Sequence, residues 1–591
     1  MNTSAISHRT GGQMCYAFNN DDLIINLKTG YDVEEVYLHY GDPYNAGIMG
    51  GEEKWYGERK PVPFKKDLSD HIWWTTTVTP QHKRCKYYFE LHSKDETLFF
   101  FEDGFLTKEQ MEIPGKMLQY FIFPWMNPAD LDVTPSWVND TVWYQIFPER
   151  FARDENGSSP EGRELHEWKE GPVTNAETYG GNLSGIRKKI PYLKELGITG
   201  IYLTPIMEAS SNHKYDTTDY KKIDPAFGTD EDMKALVRDA HENGIRIMMD
   251  GVFNHSGRFF KPWLDVCEKG PSSEYYDWFM INKWPFDPDT DTRDGKFFSF
   301  AFHGGMPKLN TNNDRVIDYI EDVCLGWLKE YDIDGIRFDV GNEVSHKLLK
   351  RLHNTLKAEK EDFYLLGEIW HDSLPWLLGD EYDSVMNYPL TSGINDFFID
   401  KNNTKKDLSH RINSCYTMYR QQNNNVLFNL LDSHDTDRLM TRVGEDTDVF
   451  IQEIATLFTM PGTVCIYYGT EIGLPGGHDP DCRRVMPWDN MDTPERKEIF
   501  EEVKTLIALR KKEETFRSLY FHFPDEIKDK RCGEYIKIAE NGDKIEVLLN
   551  ASENDIDVPG FKKEDVLFKR NVDEEKGVLK TKGTLIRRVY I

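Results

Sequence analysis

The chain has 591 residues, of which 39% are hydrophobic, enough for ordinary packed cores in about four domain-sized units. Its 101 acidic and 72 basic residues leave a net charge of −29. A field of that sign repels phosphate backbones and anionic lipid, which excludes nucleic acid and membrane surfaces as partners and favours a neutral substrate.

The first residues, MNTSAISHRTGGQ, lack a basic start followed by an apolar run, so no signal peptide is expected. No apolar segment approaches the length of a membrane span. Up to about residue 130 the pattern alternates as strands do, through DLIINLKTG, VEEVYLHYGDPY, HIWWTTTVTP and KYYFELH. From Trp137 onward strands and helices alternate. VWYQIF is the first strand. IRKKIPYLKELG is a helix closed by Gly197 and either started or kinked by Pro191. ITGIYLTP is a buried strand. Thr229 and Asp232 form a capping-box pattern ahead of Met233, Leu236, Val237 and Ala240 at helical spacing, and the strand IRIMMDGVF follows. The unit recurs: VIDYIEDVCLGWLKEY precedes GIRFDV, KLLKRLHNTLKA precedes FYLLGEIW, and VLFNLLDS and VCIYYG come later. SVMNYPL supplies a weaker sixth strand.

Repeated helix-then-strand units with continuous apolar strands predict a parallel sheet. Eight such strands favour closure. The expected fold class is therefore α/β: a (β/α)8 TIM barrel over residues 131–510, with a small inserted subdomain after strand three at 253–310. It is flanked by β-sandwich domains at 1–130 and 511–591, the latter holding a hairpin around Asn541-Gly542 in EYIKIAENGDKIEVLLN. The eight cysteines are scattered, with no C-x-x-C pair. They read as buried thiols in a reducing compartment, hence a cytoplasmic protein.

In such a barrel, polar residues at the C-terminal ends of strands line the active-site face. Strand three ends in Asp250, Asn254 and His255, strand four in Arg337 and Asp339, strand five in Glu368 and His371, and strand seven in His434 and Asp435. Each has a plainer reading. Arg-x-Asp is commonly a structural ion pair, a lone Glu a solvated rim residue, and His-Asp a loop contact. Convergence on one face points instead to paired carboxylates about 5–5.5 Å apart, the separation for retaining glycoside hydrolysis. Asp339 is then the nucleophile, kept ionised by Arg337, and Glu368 the proton donor. Asp435, His255 and His434 are left to hold sugar hydroxyls.

These segments resemble the conserved regions of the α-amylase family of retaining glycoside hydrolases: DGVFNH, GIRFDVGNE, EIWH and LLDSHD, in family order, with HKYDTTDYKKIDPAFG as a further block. The resemblance implies Asp339 as nucleophile, Glu368 as acid/base and Asp435 as transition-state stabiliser. It further implies that His255, Arg337 and His434 contact the sugar at the cleavage site, with Tyr215 stacked on it. MPKLN and EIWH resemble the neopullulanase, cyclomaltodextrinase and maltogenic amylase subfamily, where Trp370 stacks on the acceptor side. Asn342-Glu343 replace the Lys-His of starch-type enzymes, and the resemblance implies that Asp479 and Arg483 grip the sugar one unit beyond the cleavage site. Glu343 and Trp370 are implied to set the ratio of hydrolysis to transfer.

The implied substrates are α-glucan oligosaccharides, cyclodextrins and pullulan, and the implied assembly is a homodimer built by the N-terminal domain. No cofactor is required. Calcium through Asp154 and Asn156 stays uncertain, because the loop ERFARDENGSS is poorer in ligands than in calcium-binding relatives. Gly341 stands where many relatives carry Ala, a difference expected to change little. An oligo-1,6-glucosidase or α-glucosidase of the same family is the alternative. A non-catalytic amylase-like glucan-binding protein is more remote, since all three acids are present.

Overall fold

The computed structural model describes residues 1–47, 55, 57–155, 157 and 164–590. Residues 1–133, with 377–379 and 405–424, form one compact unit, and the remaining residues form a second.

The first unit holds two antiparallel sheets. One orders Cys15–Ala17, Leu23–Thr29, Ile72–Val78 and Phe64–Asp67 side by side. The other has six strands, with Val33–Gly41 and Cys85–Ser93 paired at its centre. Alternation decides which face is buried: Leu23, Ile25 and Leu27 from the first sheet pack with Val36, Leu38, Tyr87, Phe89 and Leu91 from the second. The unit is a β-sandwich.

In the second unit eight parallel strands run, in chain order, Val142–Ile146, Gly200–Leu203, Arg246–Gly251, Gly335–Phe338, Tyr364–Gly367, Ser384–Val385, Phe428–Asn429 and Thr463–Tyr467. Neighbours pair in the order six, five, four, three, two, one, eight, seven. A parallel bridge between Met386 and Phe428 joins six to seven and closes the ring. Trp143, Tyr202, Met248, Tyr364, Leu366, Met386, Phe428 and Cys465 fill its interior. Directly above, the inward positions turn polar. Asp250 and Arg337 lie side by side in register on strands three and four, where alternation from Gly335 also brings Asp339 inward.

Local chemistry sets the helices. Thr229 and Asp232 exchange hydrogen bonds, Asp232 N–H to Thr229 Oγ1 at 3.3 Å and Thr229 N–H to Asp232 Oδ2 at 2.8 Å, a cap that stabilises Asp230–Glu242 by about 1 kcal/mol. The expected single helix before strand two is broken into Leu183–Lys188 and Ile190–Leu196. Pro191 sits in the first turn of the second piece, where its missing N–H costs nothing. SVMNYPL also departs from expectation: only Ser384–Val385 is strand, and Tyr388 opens the helix Tyr388–Ile399 with Pro389 in its first turn.

After strand three the chain folds into the helix Lys261–Lys269 and short turns around Trp263, which packs on Phe279, Phe286 and Phe297. An antiparallel bridge between His255 and Lys308 brings it back to the barrel rim. The C-terminal strands form one six-stranded antiparallel sheet. Its first hairpin has a three-residue turn rather than two, with Gly542 N–H bonded to Ala539 O at 3.0 Å and Gly542 at φ +89°. All eight cysteines are free thiols.

Candidate active site

At the C-terminal mouth of the barrel one guanidinium serves three carboxylates. Arg337 Nη1 lies 3.0 Å from both oxygens of Asp250 and 3.0 Å from Asp339 Oδ1, and Nη2 lies 2.9 Å from Glu368 Oε2. Burial pushes the Asp339 carboxyl well above its usual range. Arg337 opposes that, while Glu368, Asp250 and Asp435 reinforce it. The expected Arg337–Asp339 pair forms, but with its positive charge divided three ways it does not outweigh burial, so the expectation that Arg337 holds the carboxyl low is not met. Asp250 Oδ2 also accepts the Tyr202 hydroxyl at 2.6 Å and the Tyr215 hydroxyl at 3.0 Å.

Glu368 is bound at both oxygens. Oε2 accepts the Val340 N–H at 3.0 Å, and Oε1 accepts the Trp370 indole N–H at 3.2 Å. Trp370, half exposed, lies flat on Tyr388 with ring centroids 3.6 Å apart. His434 Nδ1 faces the Gln145 amide at 2.8 Å, which directs Nε2 to the Tyr215 hydroxyl at 2.5 Å and to Asp435 Oδ2 at 3.2 Å. Burial and the cations Arg483 and Arg337 lower the His434 pKa well below its usual value, so the ring is neutral. Burial also lowers His255 to about 4. It stacks on Phe300 and bonds Tyr215 O at 3.1 Å. Arg483 bridges Asp479 at 2.9 Å and Asp435 at 3.5 Å. Lys308 ties Glu343, at 2.8 Å, to Asn254.

These residues surround a cavity of about 500 Å³. Asp339, Glu368, Asp435, Tyr215, His255, Trp370, Glu343, Asp479 and Arg483 all line it. Arg337 and His434 do not. Both are completely buried beneath its floor and reach it through the groups they hold.

The sequence matches the family described as "Alpha amylase, catalytic domain" over residues 145–495, and "Alpha amylase, N-terminal ig-like domain" over 1–127. It is 42% identical to a maltogenic alpha-amylase from Bacillus acidopullulyticus, covering 98% of this chain and 97% of that one. A cyclomaltodextrinase from Geobacillus thermopakistaniensis is 43% identical, over 88% of this chain and 86% of the relative. A solved cyclomaltodextrinase structure superposes with a TM-score of 0.87 at 35% identity, covering 100% of this chain and 98% of its own. The chain belongs to the α-amylase family.

As a member of that family it is a glycoside hydrolase. Several residues of this α-amylase site escape sequence reasoning. Tyr202 lies within the apolar run ITGIYLTP and looks like core until its hydroxyl is found on Asp250. Gln145 is similarly hidden in VWYQIF. Asn175, His213, Phe300, Met306 and Asn342 also line the cavity; His213 and Met306, which lie in motif blocks, were within reach, and Asn342 already stands out in the sequence beside Glu343. Gly341 matters more than its small size suggests, because an alanine Cβ there would lie 2.9 Å from Tyr382 Oη. The described donors after strand one are engaged within the protein. Asp154 Oδ1 accepts the Asn182 amide at 2.7 Å and Oδ2 lies 4.0 Å from Lys188 Nζ, while Asn182 Oδ1 caps a helix at Gly185 N–H. Asn156 lies outside the described residues. Among those residues no cluster of three His, Cys, Asp or Glu is arranged for a metal.

Proposed function

We propose that this enzyme cleaves the α-1,4 bonds of cyclomaltodextrins, pullulan and short maltooligosaccharides with retention of configuration, and transfers part of the product to sugar acceptors. The observation carrying this reading is that Asp339 and Glu368 stand on adjacent strand ends, each within 3.0 Å of one guanidinium, at the edge of a single cavity. Two carboxyl groups on neighbouring strand ends, held by one guanidinium, fit the nucleophile and acid/base pair of the family's retaining mechanism.

Glu368 protonates the glycosidic oxygen while Asp339 attacks the anomeric carbon. The C–O bond breaks as the ester to Asp339 forms. Glu368, now a carboxylate, takes a proton from water, which displaces Asp339 and restores the enzyme; a sugar hydroxyl in place of water gives transfer. The burial that penalises the Asp339 charge in the empty site strengthens its attraction for the oxocarbenium-like centre. Asp435, held by Arg483, binds the ring hydroxyls. Tyr215 and His255 line the cleavage subsite, with Arg337 and His434 supporting it from below. Trp370 and Glu343 face the acceptor, and Asp479 with Arg483 the following sugar.

The same reading takes the enzyme as a cytoplasmic homodimer that needs no metal. Buried free thiols suit a reducing compartment. Sedimentation at micromolar protein checks the dimer, and unchanged turnover in EDTA checks the metal. The deciding experiment is product analysis on β-cyclodextrin, pullulan and soluble starch, with Asp339→Asn as control. Expected are rapid ring opening to maltose and glucose, panose from pullulan and slow attack on starch, all lost in the variant. Preference for starch would overturn the substrate assignment, and preference for isomaltose would make it an oligo-1,6-glucosidase.

A further inference from the structure

Asp339 is followed by Val340 at φ +47°, a left-handed conformation that a β-branched residue adopts only when its surroundings impose it. The twist aims the Val340 N–H at Glu368 Oε2, 3.0 Å away. Backbone bonds stitch the same strand ends together, Glu368 N–H to Phe338 O and Gly341 N–H to Glu368 O, each 3.0 Å. Behind them lies Tyr382, which is buried and donates its hydroxyl to Gly341 O at 3.0 Å. Its ring packs on Phe338 at 5.3 Å. It also fills the space that side chains at 341 and 367 would need: a Cβ on Gly367 would come within 2.6 Å of the ring, and one on Gly341 within 2.9 Å of Oη. Two glycines, one next to Glu368 and one two residues past Asp339, leave room for this tyrosine. A buried tyrosine must find a partner for its hydroxyl in any case; here that partner is the carbonyl that closes the strained turn next to the nucleophile.

We propose that Tyr382 is a positioning residue that locks the 339–341 turn and thereby fixes which oxygen of Glu368 carries the transferable proton. The inference rests on the acid/base reading of Glu368 given above. Oε2 receives the Val340 N–H at 3.0 Å and lies 2.9 Å from the positive Arg337 guanidinium, whereas Oε1 accepts only the longer Trp370 indole N–H at 3.2 Å, so the oxygen beside the cation is the poorer place for a hydrogen. The proton belongs on Oε1. In the first step it passes from Oε1 to the glycosidic oxygen as the C–O bond breaks, and the leaving sugar departs as a neutral alcohol. Without the Tyr382 hydroxyl, Gly341 O loses its partner, the turn relaxes, and the proton is no longer confined to Oε1.

The test is Tyr382→Phe in the full chain, read as first-turnover rates on two substrates. β-Cyclodextrin has a leaving group that must be protonated, whereas α-maltosyl fluoride releases fluoride with little help from an acid. The expected rate falls roughly thirtyfold on the cyclodextrin, in line with what a small misplacement near the chemistry costs, and less than about threefold on the fluoride. Glu368→Gln is the reference and shows the same selectivity more strongly, about 10²–10⁴-fold on the cyclodextrin. Gly341→Ala, which presses on the tyrosine hydroxyl from the other side, reproduces the pattern and stands in if Tyr382→Phe does not fold. Equal losses on both substrates, or no loss, overturn the role of Tyr382. A Glu368→Gln variant that does not distinguish the substrates overturns the reading of Glu368 itself.

Discussion

Strand four carries two buried aspartates, Asp334 just before it and Asp339 just after it, and their surroundings push them in opposite directions. Asp334 is met by Arg246 at 2.8 Å, His241 at 2.7 Å, Lys360 at 3.0 Å and the Ile247 N–H at 2.9 Å. Burial alone would raise its pKa, but these donors outweigh it and hold the carboxyl well below the usual range. Asp339 has one cation, shared with Asp250 and Glu368, and is pushed up. The donors that reach each acid, and the carboxylates beside Asp339, decide the outcome, since both groups are almost fully buried. The lower end of the barrel spends its charges on stability and the upper end withholds them for chemistry.

Asp339→Asn is the sharpest way to break this contrast. Turnover falls on the order of 10⁴-fold or more, yet the protein melts at a higher temperature. A carboxyl whose folded pKa is raised costs stability from the ordinary aspartate range upward, in full above its raised value, and the amide removes the cost. A lower melting temperature in a neutral-pH scan would contradict the account of the upper cluster. Asp334→Asn is expected to behave inversely, losing about 3 kcal/mol in denaturant titration and leaving turnover per folded molecule within about twofold. Asp334 stabilises the fold above the ordinary aspartate range, and that stability drains away as pH falls through its depressed pKa. Below about pH 4 the wild type therefore loses stability faster than the variant. A smaller effect comes from Thr229→Ala, which uncaps the helix bearing His241. It costs about 1 kcal/mol with no change in products. Least costly to the fold is Glu343→Gln at the upper rim, within about 0.5 kcal/mol. Its signature is a shifted ratio of transfer to hydrolysis in chromatographed products, and an unaltered ratio removes Glu343 from the acceptor side.

Much of the barrel was legible because its buried strands are continuous apolar runs ending in charge. GIRFDV shows its geometry in its letters: alternation puts Ile336 and Phe338 outward and Arg337 and Asp339 inward. Strand six was not legible at its true length. Only two residues pair there, and the proline that follows begins a helix. Nor could the sequence show how Arg337 divides its charge, because Asp250 and Glu368 reach it from other strands. Tyr382 lay between motifs, marked only by the glycines at 341 and 367. A glycine announces a need for space without saying what fills it.

The ring of strands is stitched unevenly. Strands three, four and five share four-residue registers, whereas strand seven pairs through two residues with strand eight and through one bridge with strand six. Asp339 and Glu368 therefore hang from the stiff arc of the wall and Asp435 from its seam. Amide hydrogens around 428–435 should exchange with solvent well before those of 335–339. The two acids that must meet a fixed carbon are held by the rigid side, while the carboxylate that follows the changing pucker of a sugar ring is carried by the part of the barrel that can give.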